Sequence, residues 1–374
     1  MAPRPYRGGP VPPPPVLPEK PRAILVVRLS ARGDVMFATP IIRALRSRYP
    51  QAHLTWVVEP ASKDVVEHHP DLDEVIVWDR PGWKRLLKAG RVRALWDEYR
   101  AFRRRLRARD FDVALDLQGL ARSGWVALLS GARTRIGLGS KEGSSLIMHH
   151  HFPTGRRIRP MSADVRLLAG WLGMEAPEGL DVELDPAVRE GARKKLAEAG
   201  VEGPFVLIVP FTTRPWKHWV EPRWASLAGQ LREASGLPVV MTGGPADRAA
   251  ADRLLADAGG ALTDLVGRTT LGEAMGVVAE ASLVLGVDTG LTHAAHAFRR
   301  PTICIFGPSG YSDPPTPMAR MVRYELSCAP CTPRGGRPTC GGAYTCMDLI
   351  TGREVLELAR ELLAAYPPER GAPR

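Results

Sequence analysis

The residues Asp288-Thr289-Gly290-Leu291-Thr292-His293 bring an acid, two hydroxyls, a glycine and a histidine together within six positions. They follow an apolar run, Ser282 to Val287, that reads as a buried strand, and they open a small-residue helical pattern reaching Phe298. A helix start exposes unpaired backbone N–H groups and the positive end of the aligned peptide dipoles. A glycine at that point lets the backbone come close to a ligand. The combination suits phosphate groups, with the carboxylate free to accept sugar hydroxyls. For His293 the competing reading is a helix histidine bonded to the backbone.

Two more groups sit just past apolar runs. Thr212-Thr213 and Lys217-His218-Trp219 follow Phe205 to Pro210. Hydroxyls and a mobile lysine charge suit phosphate oxygens, and Trp216 and Trp219 either flank a flat ring or pack. Asp34, in Ser30-Ala31-Arg32-Gly33-Asp34, follows Ile24 to Leu29. A carboxylate at a cleft mouth can act as a general base, and the alternative is a turn or capping aspartate. Four cysteines, Cys328, Cys331, Cys340 and Cys346, lie near the end in a Pro- and Gly-rich stretch. Their spacing departs from zinc-finger patterns and reads first as reduced structural thiols, with a zinc site as the alternative. Cys304 lies in an apolar strand and reads as buried. There is no P-loop lysine motif, no G-x-G-x-x-G after the first strand, and no zinc-protease or nucleophile-elbow motif, which argues against ATPase and nicotinamide chemistry.

The elements that must position these groups alternate. In the first half, strands at 24–29, 54–58, 74–78 and 113–116 are separated by helical patterns at 41–48, 62–68, 92–108 and from about Ser123. Ser30 to Ala38 reads as a loop, with Thr39 as N-cap and Pro40 as first helical residue. The second half repeats the plan, with strands at 205–210, 239–242, 282–287 and 302–306. Its helices lie at 222–235, 249–258, 271–279 and 353–364. Such alternation predicts two doubly wound parallel sheets, with a cleft between them at the strands' carboxyl ends. The length of 374 residues supports two full cores. Residues 1–22, with Pro12 to Pro15 consecutive, read as a disordered tail. No apolar run reaches the roughly 18 residues needed to span a bilayer, and no secretory leader is visible, so a cytoplasmic location is expected. The formal charge is +11, much of it between Arg91 and Arg109. That excess suits an anionic partner (nucleic acid, phospholipid surface or phosphorylated substrate) or a merely solvated helix.

The segments Ile24 to Ser30 with Gly33-Asp34 and Thr39-Pro40, and Asp116-Leu117-Gln118-Gly119 through Arg122-Ser123, resemble motifs of glycosyltransferase family 9, the ADP-heptose:lipopolysaccharide heptosyltransferases. Thr212-Thr213 with Lys217-His218-Trp219, Asp288-Thr289-Gly290 with His293, and the Cys328 to Met347 segment resemble that family too. The resemblance spans about Ile24 to Leu363. It implies a GT-B fold of two Rossmann-like domains facing a central cleft. Residues 23–185 would bind the acceptor and 186–350 the nucleotide sugar. The helix and tail of 351–374 would be free to pack back on the first domain. It also implies inverting, metal-independent transfer of heptose from ADP-heptose to a lipopolysaccharide core acceptor, with no required cofactor. Asp34 matches the residue that deprotonates the acceptor and Lys217 the lysine near the diphosphate. Asp288 matches the residue near the heptose hydroxyls. Thr289, Gly290 and His293 match the diphosphate and ribose side, Thr212 and Thr213 the phosphate-binding hydroxyls, and Arg122 a contact to the anionic acceptor. The expected partners are the donor, an anionic lipid-linked glycan and the inner membrane surface, with no nucleic acid. Family members often carry an acid after the second-domain glycines. Here Pro245 follows Gly243-Gly244, and Asp247 is the nearest acid. The rival readings are a family 9-like transferase using another nucleotide sugar or glycan, and a non-catalytic basic binding protein.

Overall fold

The computed structural model describes residues 11–140, 142–154, 161–177, 180–308, 316–329, 331 and 340–368. The chain divides into two compact units, Met1–Glu183 and Leu184–Arg374. Each is a six-stranded sheet in which every strand pair is parallel.

In the first unit the elements run β1 (Ala23–Val27), α1 (Arg32–Ala38), α2 (Pro40–Arg48), β2 (His53–Val58), β3 (Glu74–Val77), α3 (Arg80–Lys88), α4 (Val92–Arg107), β4 (Val113–Asp116), α5 (Ala121–Leu129), β5 (Thr134–Leu138), β6 (His150–Phe152) and α6 (Met161–Trp171). In the second they run α7 (Pro186–Glu198), β7 (Val206–Val209), α8 (Glu221–Ser235), β8 (Val239–Met241), α9 (Arg248–Asp257), β9 (Leu262–Asp264), α10 (Leu271–Glu280), β10 (Leu283–Val287), α11 (Gly290–Ala297), β11 (Thr302–Ile305), β12 (Ala319–Val322), α12 (Thr345–Asp348) and α13 (Gly352–Ala365). The strand orders are β3-β2-β1-β4-β5-β6 and β12-β11-β10-β7-β8-β9. Counted from the start of each unit, both are the doubly wound order 3-2-1-4-5-6. The two units are therefore both α/β and Rossmann-like, as the alternating pattern predicts.

The central strands carry no polar alternation because both faces are covered. Every residue of β1 (AILVV), β7 (VLIV) and β10 (LVLGV) is buried, as expected of parallel strands between helical layers. Chain direction reverses its lateral progression between β1 and β4 in one sheet and between β7 and β10 in the other. These switch points open a crevice at the carboxyl ends of the strands. The register sets Val27 beside Asp116 and Gly286 beside Val209, so the loops after paired strands emerge together.

Several local expectations are corrected. The stretch after β1 is helical from Arg32, so Asp34 lies in the first turn of α1 and not in a loop. Thr39 is itself helical (φ −58°, ψ −31°) and caps nothing. Its hydroxyl donates to the Met36 carbonyl and accepts from the Asp181 amide. Residues 60–65 form a 3₁₀ turn in place of a full helix. α13 packs on α8 and β11 of its own unit, burying Val355, Ala359 and Leu362 there, which accounts for its apolar face. Residues 1–10 of the expected tail lie outside the described residues. Residues 11–22 have no regular helix or strand, and Trp171 Nε1 donates to the Pro12 carbonyl at 2.7 Å. Among the described residues, no helix is long and apolar enough to cross a membrane.

Gly286 is a glycine that packing requires. A Cβ on Gly286 would collide with the Thr292 hydroxyl and stand 3.1 Å from Val209 Cβ. Gly286→Ala is predicted to cost about 1–3 kcal/mol, the usual range for overpacking. Chemical denaturation of wild type and variant measures it.

Candidate active site

In the second unit the loops after β7 and β10 meet through one carboxylate. β10 ends at Val287, and Thr289 turns the chain in extended conformation (φ −144°, ψ 162°) with no capping bond from its side chain. α11 then starts at Gly290. His293 N bonds back to the Thr289 carbonyl, so the amides of Gly290, Leu291 and Thr292 lead the helix without intrahelical partners. Asp288 stands at this junction. Its Oδ1 accepts from His293 Nε2 at 2.9 Å and its Oδ2 from Lys217 Nζ at 2.5 Å. The side chains of all three are largely buried. Burial alone pushes the Asp288 carboxyl up. The hydrogen bond and charge of His293, with those of Lys217, overcome that and hold it well below the usual carboxylate range. Lys217 closes a 3₁₀ turn over Pro215–Lys217.

The same loop carries Thr212, half-buried, and Thr213, exposed. His218 Nε2 donates to the Thr212 carbonyl at 2.8 Å, which ties the loop to itself. The structure thus brings Lys217, Asp288 and His293 into one group, with Thr289 and Gly290 in the same turn. Of the two readings for Trp219 the structure supports packing: it is buried edge-on against Trp224, and its Nε1 donates to the Ile350 carbonyl. Trp216 is half-buried, with the Arg214 guanidinium over its ring. Asp247 is occupied by its own turn, accepting from the Gly244 amide at 2.8 Å.

In the first unit the loops after β1 and β4 meet in a parallel way. Asp34 is half-exposed, and its Oδ2 lies 2.7 Å from Arg28 Nη2. Arg28 is buried at the end of β1 and also donates to the Leu117 carbonyl at 2.8 Å. Burial lowers the Arg28 pKa, opposed by the charges of Asp34 and Asp116, while nearby Arg122 lowers it further. Asp116, the last residue of β4, is fully buried. It accepts from the Gln118 and Gly119 amides at 2.9 and 3.2 Å and from the Ser123 hydroxyl at 3.0 Å. Burial still raises its carboxyl above the ordinary value. Gln118 Oε1 in turn accepts from the Leu29 amide. Gly119 sits at φ +66°, where a Cβ would meet the Gly139 and Leu138 carbonyls at 2.7 and 2.8 Å. The Asp116 to Ser123 motif is therefore a scaffold that fixes the β1 loop, and Arg122 is its half-buried charged member. Arg28 was not singled out from chemistry, although a lone charge within the apolar run 24–29 marks it.

The four C-terminal cysteines are free thiols. Cys328 is exposed, Cys331 and Cys340 half-buried and Cys346 buried. Among the described residues, no three His, Cys, Asp or Glu side chains are grouped to hold a metal ion.

The sequence model described as "Glycosyltransferase family 9 (heptosyltransferase)" matches residues 99–338. The chain is 28% identical over 350 residues to lipopolysaccharide heptosyltransferase 1 of Pseudomonas aeruginosa, covering 90% of this chain and 92% of that one. Among solved structures it is similar to the glycosyl transferase family 9 protein of Veillonella parvula, with a TM-score of 0.77, 21% identity and coverage of 93% and 98%. It is also similar to the E. coli heptosyltransferase WaaC with ADP-2-deoxy-2-fluoro heptose, with a TM-score of 0.68, 24% identity and coverage of 91% and 99%. The fold those structures share is GT-B.

His296, one helical turn beyond His293, offers a pH test of this packing. It is buried, and its Nδ1 has no partner among the described residues. Burial, aided by the His293 charge, pushes its pKa down to about 3. An unfolded chain takes up this proton near pH ~6.5, whereas the folded one refuses it. Stability should therefore fall as pH drops from about 6.5. Asp288 adds its own loss only below the ordinary carboxylate value of ~3.9. Urea midpoints at pH 7.5 and 5 are expected to diverge in wild type and to converge in His296→Gln.

Proposed function

We propose that this chain, which belongs to glycosyltransferase family 9 and is a glycosyltransferase enzyme, moves heptose from ADP-heptose to a lipopolysaccharide core acceptor with inversion and without a divalent cation. The observation that carries the reading is the Lys217–Asp288–His293 group at the start of α11. A lysine charge and outward-facing amides suit a departing diphosphate, and a braced carboxylate suits sugar hydroxyls. The chain's extended similarity to lipopolysaccharide heptosyltransferase 1 supports the choice of donor and acceptor.

In the proposed reaction an acceptor hydroxyl oxygen attacks the anomeric carbon. The bond from that carbon to the diphosphate oxygen breaks, and ADP leaves with the electron pair. Negative charge grows on the diphosphate as the sugar carbon takes on oxocarbenium character. Lys217 and the amides of Gly290 and Leu291 stabilise that charge, with the Thr212, Thr213 and Thr289 hydroxyls as further donors. Asp288 accepts from the heptose hydroxyls and His293 holds it in place. Asp34 takes the proton of the attacking hydroxyl, its carboxylate aimed by Arg28. Arg122, beside the buried Arg28, meets the anionic acceptor. The enzyme works in the cytoplasm, peripheral to the inner face of the membrane that carries the acceptor. The donor is the only small molecule it requires.

Calorimetry is expected to show ADP binding in preference to GDP and UDP, with no response to short DNA. Preference for DNA and silence toward nucleoside diphosphates would defeat the reading. Asp34→Asn should keep ADP affinity while transfer from ADP-heptose drops about 10²- to 10⁴-fold; normal turnover would remove Asp34 from the base role. Lys217→Ala should lower kcat about 10²- to 10³-fold. Turnover should also persist in excess EDTA, and its loss with rescue by a divalent ion would refute the cation-free mechanism.

A further inference from the structure

The strongest feature outside the site is the helical hairpin α3–α4. Residues 80–110 carry twelve Lys and Arg against three Asp and Glu, and so supply most of the chain's +11. α3 and α4 pack on each other through a tight turn, where Gly90 at φ +67° lets the Arg91 amide reach the Leu86 carbonyl. Their inner faces are fixed by an aromatic cluster. Trp78 stacks on Phe102, and Trp83 meets Phe102 edge-on.

The outer face is not uniformly polar. Leu87, Val92 and Trp96 are 61%, 64% and 56% exposed, and they flank the turn and the first turn of α4. At about 100° per residue, Val92, Trp96, Arg93, Arg100, Arg103, Arg104 and Arg107 share a sector of roughly 120° on α4. Of the two acids of the helix, Glu98 falls on the opposite side and Asp97 just beyond the edge of that sector. Arg93, Arg100, Arg103 and Arg104 are all exposed and make no ion pair among the described residues.

We propose that the α3–α4 hairpin is a docking surface for an anionic lipid bilayer, with Leu87, Val92 and Trp96 entering the interfacial layer and the α4 arginines meeting phosphate headgroups. Charge alone would fit nucleic acid as well. Three exposed apolar side chains at the hairpin tip, one of them a tryptophan, add desolvation that a phosphate backbone does not supply and a lipid interface does. The rigid aromatic base holds the tip outward, so insertion needs no local unfolding. This extends the membrane-side placement proposed above to specific residues, and it is independent of the transfer chemistry.

The test is cosedimentation of the full chain with phosphatidylglycerol–phosphatidylethanolamine vesicles containing no acceptor. Neutral phosphatidylcholine vesicles and duplex DNA at equal phosphate serve as comparisons. Binding should prefer the anionic vesicles and weaken in high salt. Arg93→Gln with Arg100→Gln and Arg104→Gln should weaken it about a hundredfold, at roughly fivefold per charge removed. Trp96→Ser with Val92→Ser should weaken it roughly tenfold at unchanged charge. Thermal melting and ADP binding should stay at wild-type values in both variants, which separates this surface from the donor site. Wild-type vesicle binding by the Trp96/Val92 variant, or tighter binding to DNA than to anionic vesicles, would overturn the proposal.

Discussion

A carboxylate withdrawn from water must find compensating charge or hydrogen bonds, and Asp288 is in that position. Its side chain is about one-seventh exposed, and it keeps its negative charge because Lys217 and His293 each engage one of its oxygens. The two partners come from different crossovers, Lys217 from the turn after β7 and His293 from the first turn of α11 after β10. β7 and β10 are neighbours in register, with Gly286 beside Val209. The ion group therefore ties together the two loops that emerge at the switch point of the sheet. In the proposed chemistry this has a direct use. A lysine already immobilised beside the helix start reorganises little when a diphosphate arrives, and the carboxylate remains braced by His293 when the lysine changes partner.

The first unit solves a similar problem with other residues. Asp34 is held by Arg28, and Arg28 is buried at the end of β1, where the Leu117 carbonyl and the charge of Asp116 steady it. Asp116 takes three hydrogen bonds from its own turn, and Gln118 reaches back to the Leu29 amide. The loops after the first and fourth strands of each unit are thus cross-linked by polar side chains at equivalent places in the topology. Repetition of one sheet order places one ion-paired carboxylate at each switch point.

The parts that were legible from the sequence share a physical character. β1, β7 and β10 are continuous apolar runs that end sharply in polar, small-residue turns. Burial on both faces writes such strands plainly, and the turn residues then stand out. β5 (TRIGL), β6 (HHF), β9 (LTD) and β12 (ARMV) lie toward the sheet edges, where half-burial admits Arg, His and Asp and erases the run. α1 was hidden because Gly33 and the short span to Pro40 look like a loop. It packs against α6, which is remote in sequence. The roles of Trp219 and Asp247 were also set by distant or local partners, the Ile350 carbonyl and the Gly244 amide, that no spacing rule exposes. The triad of Lys217, Asp288 and His293 was named residue by residue, but its hydrogen-bonded union is a product of the sheet register.

The central claim is that Lys217 and the α11 amides receive the diphosphate while His293 keeps Asp288 in place. The most direct measurement is a crystal structure of the chain soaked with ADP. The account predicts diphosphate oxygens within hydrogen-bond distance of the Gly290 and Leu291 amides and of Lys217 Nζ, with the His293–Asp288 bond intact. A diphosphate seated away from the start of α11, with Lys217 making no contact to it, would contradict the account.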